Sequence, residues 1–222
     1  MIKNRLFILL VALLSLNTLH AETYEDLKVL QAANTLKELL HLPENAVPSM
    51  LFRKAHAIAI IPDAVKVGLL FGGQFGNGII CVQDEKGNWG NPVFITLATG
   101  SFGFQLGASS SDLVIAFKTR KAVDGLITSK LTLGVDASVA VGEEGRDVGV
   151  NGDIFLQQEV YTYARSKGLY AGISLEGSSL MVDEAANARY YGKAISPTDI
   201  FNNFEVTVPA SASTLSRFFN GQ

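Results

Sequence analysis

Between residues 56 and 175 the chain is a succession of short apolar runs interrupted by glycine, a pattern that a mainly helical fold cannot accommodate. Residues 56–61, 67–71, 76–82, 93–97, 102–107, 112–117, 131–141, 153–164 and 168–175 read as strands, rich in Ile, Val, Leu and Phe. The polar segments 84–88 and 143–147 read as turns between them. The 21 glycines fall mostly in or beside these runs. Glycine weakens a strand and so marks bulges, sharp bends or close backbone approach. The expected sheet is therefore antiparallel and strongly curved, barrel-like if the bending goes as far as closure.

Helices flank this β body. Residues 24–42 read as a helix with Leu27, Leu30, Leu36, Leu39 and Leu40 on its apolar stripe and Glu25, Lys28, Lys37 and Glu38 outside it. Residues 44–56 read as a second, short helix, and 119–130 as one inserted in the β region, with Val123, Leu126 and Ile127 on one face. Residues 179–190 fit helix or strand, and 199–204 and 210–219 close the chain with short helices. The class is α+β, with residues 22–222 forming one domain.

Lys3 and Arg5 precede an apolar stretch of about 11 residues from Leu6 to Leu16, too short for a membrane span of about 20, and Ala21 offers a small residue before Glu22. Residues 1–21 thus read as a signal peptide, implying a periplasmic or secreted protein. Their removal takes away two cations and no carboxylate, so the formal charge moves from −3 to −5. Capture of nucleic acid needs a broad basic surface, which this balance excludes. Cys81, the one cysteine, lies in an apolar run and reads as a buried thiol.

The inventory for chemistry is thin. His41 and His56 read as structural residues at element ends, and with one cysteine a zinc site lacks ligands. Ser109, Ser110, Ser111 and Asp112 read as a turn without the glycines of a nucleophile elbow. The glycines from Gly72 to Gly78 run into a strand, not the helix N-terminus that phosphate cradling needs. Residues 147–158 lack two of the ligands of a calcium loop. No catalytic residue, metal site or cofactor is assigned.

Several stretches together resemble the SYLF domain family. They are Ala57-Ile58-Ala59-Ile60-Ile61-Pro62, Val67-Gly68-Leu69-Leu70-Phe71-Gly72-Gly73, Gly103-Phe104-Gln105-Leu106-Gly107, the run from Leu133 to Gly142, the run from Tyr161 to Gly172, and Asn187 with Tyr190-Tyr191-Gly192. Over residues 36–205 the resemblance implies a non-enzymatic module that binds lipid and, in fungal relatives, actin filaments. Bacterial relatives are exported and described as lipid-binding. The first helix carries only Lys28 and Lys37 as cations, a poor match to the phosphoinositide-binding helix of eukaryotic relatives.

Lys118, Arg120 and Lys121, at a strand-to-helix junction, are the first headgroup candidates; Arg165 and Lys167, in a turn between aromatic-rich strands, are the second. Tyr161, Tyr163 and Tyr170 are candidates for acyl or interface contact, as are Phe52, Arg53 and Lys54, an aromatic beside two cations. Phe218 and Phe219 form a similar pair, and Trp89 is expected to be exposed enough to report binding. The leading function is lipid binding at the cell envelope, the partner being a lipid or membrane surface. The alternative is a protein-interaction or structural envelope component, filament-binding or self-associating. A hydrolase comes third, and the oligomeric state stays open.

Overall fold

The computed structural model describes residues 22–42, 51–52, 54–68, 71–102, 107–128, 130–141, 158–166, 169–202 and 206–220. The signal-peptide segment, the calcium-loop reading, most of the second helix, and Arg53 and Lys167 lie outside them.

Helix α1 spans Tyr24–Leu40. Thr23 caps it through a reciprocal box: its Oγ1 accepts from the Asp26 N–H at 3.1 Å, and its own N–H donates to the Asp26 carboxylate at 3.2 Å. The buried face is Val29, Ala32, Ala33, Thr35, Leu36 and Leu39, while Leu27 and Leu40 are exposed. The all-leucine stripe is thereby corrected. Small alanines let the helix sit close on the sheet, and the large side chains at its margins stay outside. Glu25, expected outside, is buried and accepts from Arg189 at 2.6 Å.

Strands β1 (Ala57–Gly68), β2 (Phe71–Val82), β3 (Val93–Phe102) and β4 (Gly107–Phe117) form the centre of the sheet. They are longer than the runs expected. Pro62 does not end β1: the strand passes through it with a bulge between Ile61 and Ala64, where Asp63 takes a left-handed φ of 54°. Proline has no N–H to give a ladder, so a bulge is where a strand tolerates it. Of the expected 67–71 run, Val67 and Gly68 thus end β1 and Phe71 begins β2, and 69–70 lie outside the described residues. The Ser109–Ser111 triplet lies in β4, not in a turn.

Helix α2 (Arg120–Thr128) follows, then β5 (Lys130–Thr132), β6 (Val139–Val141), β7 (Val160–Ser166), β8 (Leu169–Gly172) and β9 (Ser179–Val182). The 131–141 run is therefore two short strands separated by a turn in which Gly134 has φ 83°. Residues 179–190 divide into β9 and helix α3 (Glu184–Tyr191), which starts at an Asp183 cap and stops at left-handed Gly192. Helices α4 (Pro197–Phe201) and α5 (Ala210–Phe219) complete the chain.

The sheet order is β5-β9-β3-β2-β1-β4-β7-β6, with β8 also on β7. Its end strands do not pair with each other, so among the described residues the sheet is open rather than a closed barrel. All pairs are antiparallel except β6 with β7. Helix α1 lies over β1 and β2, and α5 packs on α1. Phe219 of α5 stacks on Trp89 at 4.3 Å between ring centroids, and both stack with Phe52 at 5.7 Å. No described helix is long and apolar enough to cross a membrane.

The family-like segment near the C-terminus serves packing. Asn187, fully buried, accepts from the Phe94 N–H at 2.9 Å; Tyr191 donates to the Pro92 carbonyl at 2.6 Å; Tyr190 shares a 2.8 Å hydrogen bond with Ser211.

Candidate functional site

At its end, β4 delivers Lys118 and Thr119 to the start of α2, where the Thr119 Oγ1 accepts from the Ala122 N–H at 3.4 Å. Helix α2 buries Ala122, Val123 and Leu126. Opposite stands the 84–88 turn, closed by the Asp84 carboxylate. It accepts from the Asn88 side chain at 3.0 Å and from the N–H groups of Lys86 and Asn88 at 2.8 Å each. These bonds, the Asn88 side chain first, hold the Asp84 carboxyl below its ordinary range.

A cleft of about 320 Å³ opens between turn and helix. Its walls are apolar where Val82, Val123, Ile127 and Phe201 line it. Its rim is charged: Lys86 and Arg120 are the cations, and Asp84, Glu85 and Asp124 the anions. His56 also lines it.

Of the first basic cluster expected from sequence, Arg120 lines this cleft. Arg120 pairs with Asp124 one turn on at 3.7 Å, and Lys121 with Glu159 at 3.9 Å. Both cationic side chains are more than two-thirds exposed, so solvent weakens these pairs and an incoming anion can replace the carboxylates. Lys118 is half-buried, its ammonium 6.0 Å from the centre of the Tyr161 ring. Burial, then the neighbouring Lys54 charge, lower its pKa. Lys54 is exposed. Four cations thus gather at one end of the sheet.

The second cluster is different. Arg165 bridges Asp112, at 2.6 Å, and Glu38, tying β7 to β4 and α1. Committed to two carboxylates, it is a structural cation. Tyr161 and Tyr163 are buried, because β7 is an interior strand covered on both faces, as fully buried Thr162 between them shows. Tyr170 donates to the Thr35 carbonyl at 3.0 Å. Phe52 and Trp89 are buried in the aromatic stack, so neither meets solvent as expected; in place of a turn tip, Trp89 found a greasy socket against α5. Cys81 is fully buried, which pushes its thiol far above the ordinary range and makes it inert.

A second surface went unread in the sequence. Beyond the bulge, Val65 and Val67 are each 44% exposed and Phe75 is 56% exposed. Val65 is directly paired with Phe75 on one side and Ser110 on the other, Val67 with Gly73 and Ala108, and Phe75 with Ala98. Directly paired residues share a sheet face, so this end of the sheet presents an apolar, uncharged surface. The signal was the Val65-x-Val67 alternation, hidden once Pro62 was read as the end of the strand.

Residues 98–221 match the Ysc84 family, described as "Las17-binding protein actin regulator". Bovine "SH3 domain-containing YSC84-like protein 1" is 36% identical over 83% of this chain and 55% of its own length. "Protein YSC84" of Saccharomyces cerevisiae is 29% identical over 92% of this chain and 44% of its own. The human YSC84-like protein is 34% identical over 83% of this chain. The chain spans about half the length of the curated relatives it matches.

Proposed function

Because this chain belongs to the Ysc84 family, the SYLF resemblance of its sequence, we propose that it is a non-enzymatic binding protein, exported through residues 1–21, that holds anionic amphiphiles at the cleft beside α2. One observation carries this reading: Arg120, which lines a cleft walled by Val82, Val123, Ile127 and Phe201, adjoins Lys121 and Lys118 in the chain, and Lys54 stands close enough to Lys118 to lower its pKa. A phosphate draws Arg120 away from Asp124, and the apolar wall takes the first methylenes of an acyl chain. The acidic balance of the rest of the chain keeps binding local and salt-sensitive.

Co-sedimentation with phosphatidylcholine vesicles, with and without phosphatidylglycerol, checks this. The protein is expected to pellet with the anionic vesicles and to be released by salt. Each cation near an anionic surface contributes about 1 kcal/mol, so replacing Lys118, Arg120 and Lys121 together by alanine is expected to weaken binding by up to about 150-fold. Absence from both pellets rejects the lipid reading.

A protein partner is the second reading, favoured by the exposed Val65, Val67 and Phe75 face and by the family's description as Las17-binding. That face lies at the far end of β1 from the cleft, so the two readings separate experimentally. Phe75→Ser with Val65→Ser is expected to abolish recovery of a co-purifying protein while leaving vesicle binding unchanged. Undiminished recovery by the variant removes this face from consideration.

A further inference from the structure

The backbone of His56 is pinned from two sides. Its N–H donates to the Phe117 carbonyl at 2.7 Å, and its carbonyl accepts from the Gln83 N–H at 2.8 Å. The ring is therefore held where β4, the 84–88 turn and α2 meet, and it lines the cleft. Its Nε2 is buried and has no hydrogen-bond partner among the described residues. Buried polar atoms in folded proteins nearly always find a partner, and one orphaned beside a cleft points to a group that arrives from outside.

Resting on the amphiphile reading of this cleft, we propose that His56 is its ligand-recognising residue: an anionic phosphodiester oxygen supplies the acceptor that Nε2 lacks, and binding takes up one proton. The charges facing the ring set this up. Arg120 and Asp124 face it from α2, and Asp84, Glu85 and Lys86 from the turn. Burial first, and then the Arg120 charge, keep the free ring neutral, lowering its pKa against the smaller opposing effect of Asp124. A bound phosphodiester neutralises Arg120 and brings a negative charge to the cleft, so the imidazolium becomes the favoured form and its Nε2–H donates to the ligand oxygen. The proton comes from solvent and no bond to the ligand forms or breaks.

The sign follows. Free His56 titrates below the ordinary histidine value of about 6.5, and the bound ring titrates higher. Affinity therefore rises as pH falls through the interval between the two midpoints, by at most about tenfold per pH unit for one proton, and is flat outside it.

The test is calorimetric titration of the protein with dihexanoylphosphatidylglycerol, whose phosphodiester does not titrate near neutrality. Runs at about pH 6.5 in buffers of different ionisation enthalpy give the protons taken up per ligand bound. A parallel arm uses glycerophosphoglycerol, the same headgroup without acyl chains, and separates lipid from free phosphodiester as the source of the anion; uptake with either one supports the proposal. The expected result is a positive proton number in the wild type and none in His56→Gln, which binds with a flat pH profile. In the wild-type protein itself, the His56 Cε1–H resonance is expected to titrate at higher pH with ligand than without. Binding without proton uptake, and with an unmoved His56 resonance, overturns the role of His56 and leaves the amphiphile cleft standing. Failure of both compounds to bind overturns the two together.

Discussion

Gly78→Ala is expected to cost about 3 kcal/mol or more in unfolding free energy, at the upper end of the cost of overpacking. A Cβ at Gly78 would lie 2.2 Å from the Ile60 carbonyl oxygen and 2.7 Å from the Ile61 Cα. Both are backbone atoms of β1 at the edge of its bulge, and neither has a rotamer with which to give way. Two residues earlier, a Cβ at Gly76 would meet the Ile61 side chain at 2.5 Å. The bulge thus leans on β2 where β2 has no side chains. Gly100, in neighbouring β3, has nothing within 4 Å of a built Cβ, so Gly100→Ala is expected to be neutral or slightly stabilising. Urea unfolding of the two variants decides: equal midpoints would show that the β1–β2 approach does not require glycine.

Asp112→Ala is expected to cost about 2–4 kcal/mol, a fall of roughly 4–16 °C in the thermal midpoint of a domain this size. The Asp112 carboxylate accepts from the Asp63 N–H at 3.0 Å, the Thr35 hydroxyl at 3.2 Å and the Arg165 guanidinium at 2.6 Å. One side chain thus supports the left-handed turn of the bulge, the helix α1 and the strand β7. Its loss leaves Arg165, 22% exposed, with only the half-exposed Glu38. Breaking one partner of a shielded pair costs more than replacing both, so Asp112→Leu with Arg165→Met is expected to recover part of the loss. Scanning calorimetry of the single and double variants measures this. A loss under about 1 kcal/mol for Asp112→Ala would mean that water replaces the carboxylate at no cost.

The same residues show why parts of the site were legible in the sequence and others were not. Lys118, Arg120 and Lys121 adjoin a strand-to-helix change, and a local signal of that kind survives folding. Arg165 carries the same local signal of a basic turn, yet its partners Glu38 and Asp112 lie 127 and 53 positions away in the sequence. Tyr161 and Tyr163 read as half-wet strand positions because alternation along one strand cannot tell whether both faces are covered. His56 read as structural, since an isolated histidine carries no cleft with it.

Local physics settled the chain's composition of elements. Glycine-broken β-branched runs mark the strands of the sheet, and the Val123, Leu126 and Ile127 face marks the helix inserted among them. Only the tertiary structure decided which face of α1 is buried, that β1 runs on through Pro62, and that His56, with its orphaned nitrogen, lines a cleft with Arg120 and Lys86 on its rim. Each of these depends on groups far apart along the chain meeting in space. The free energy of such meetings comes from packing and paired charge, which no window of neighbouring residues contains.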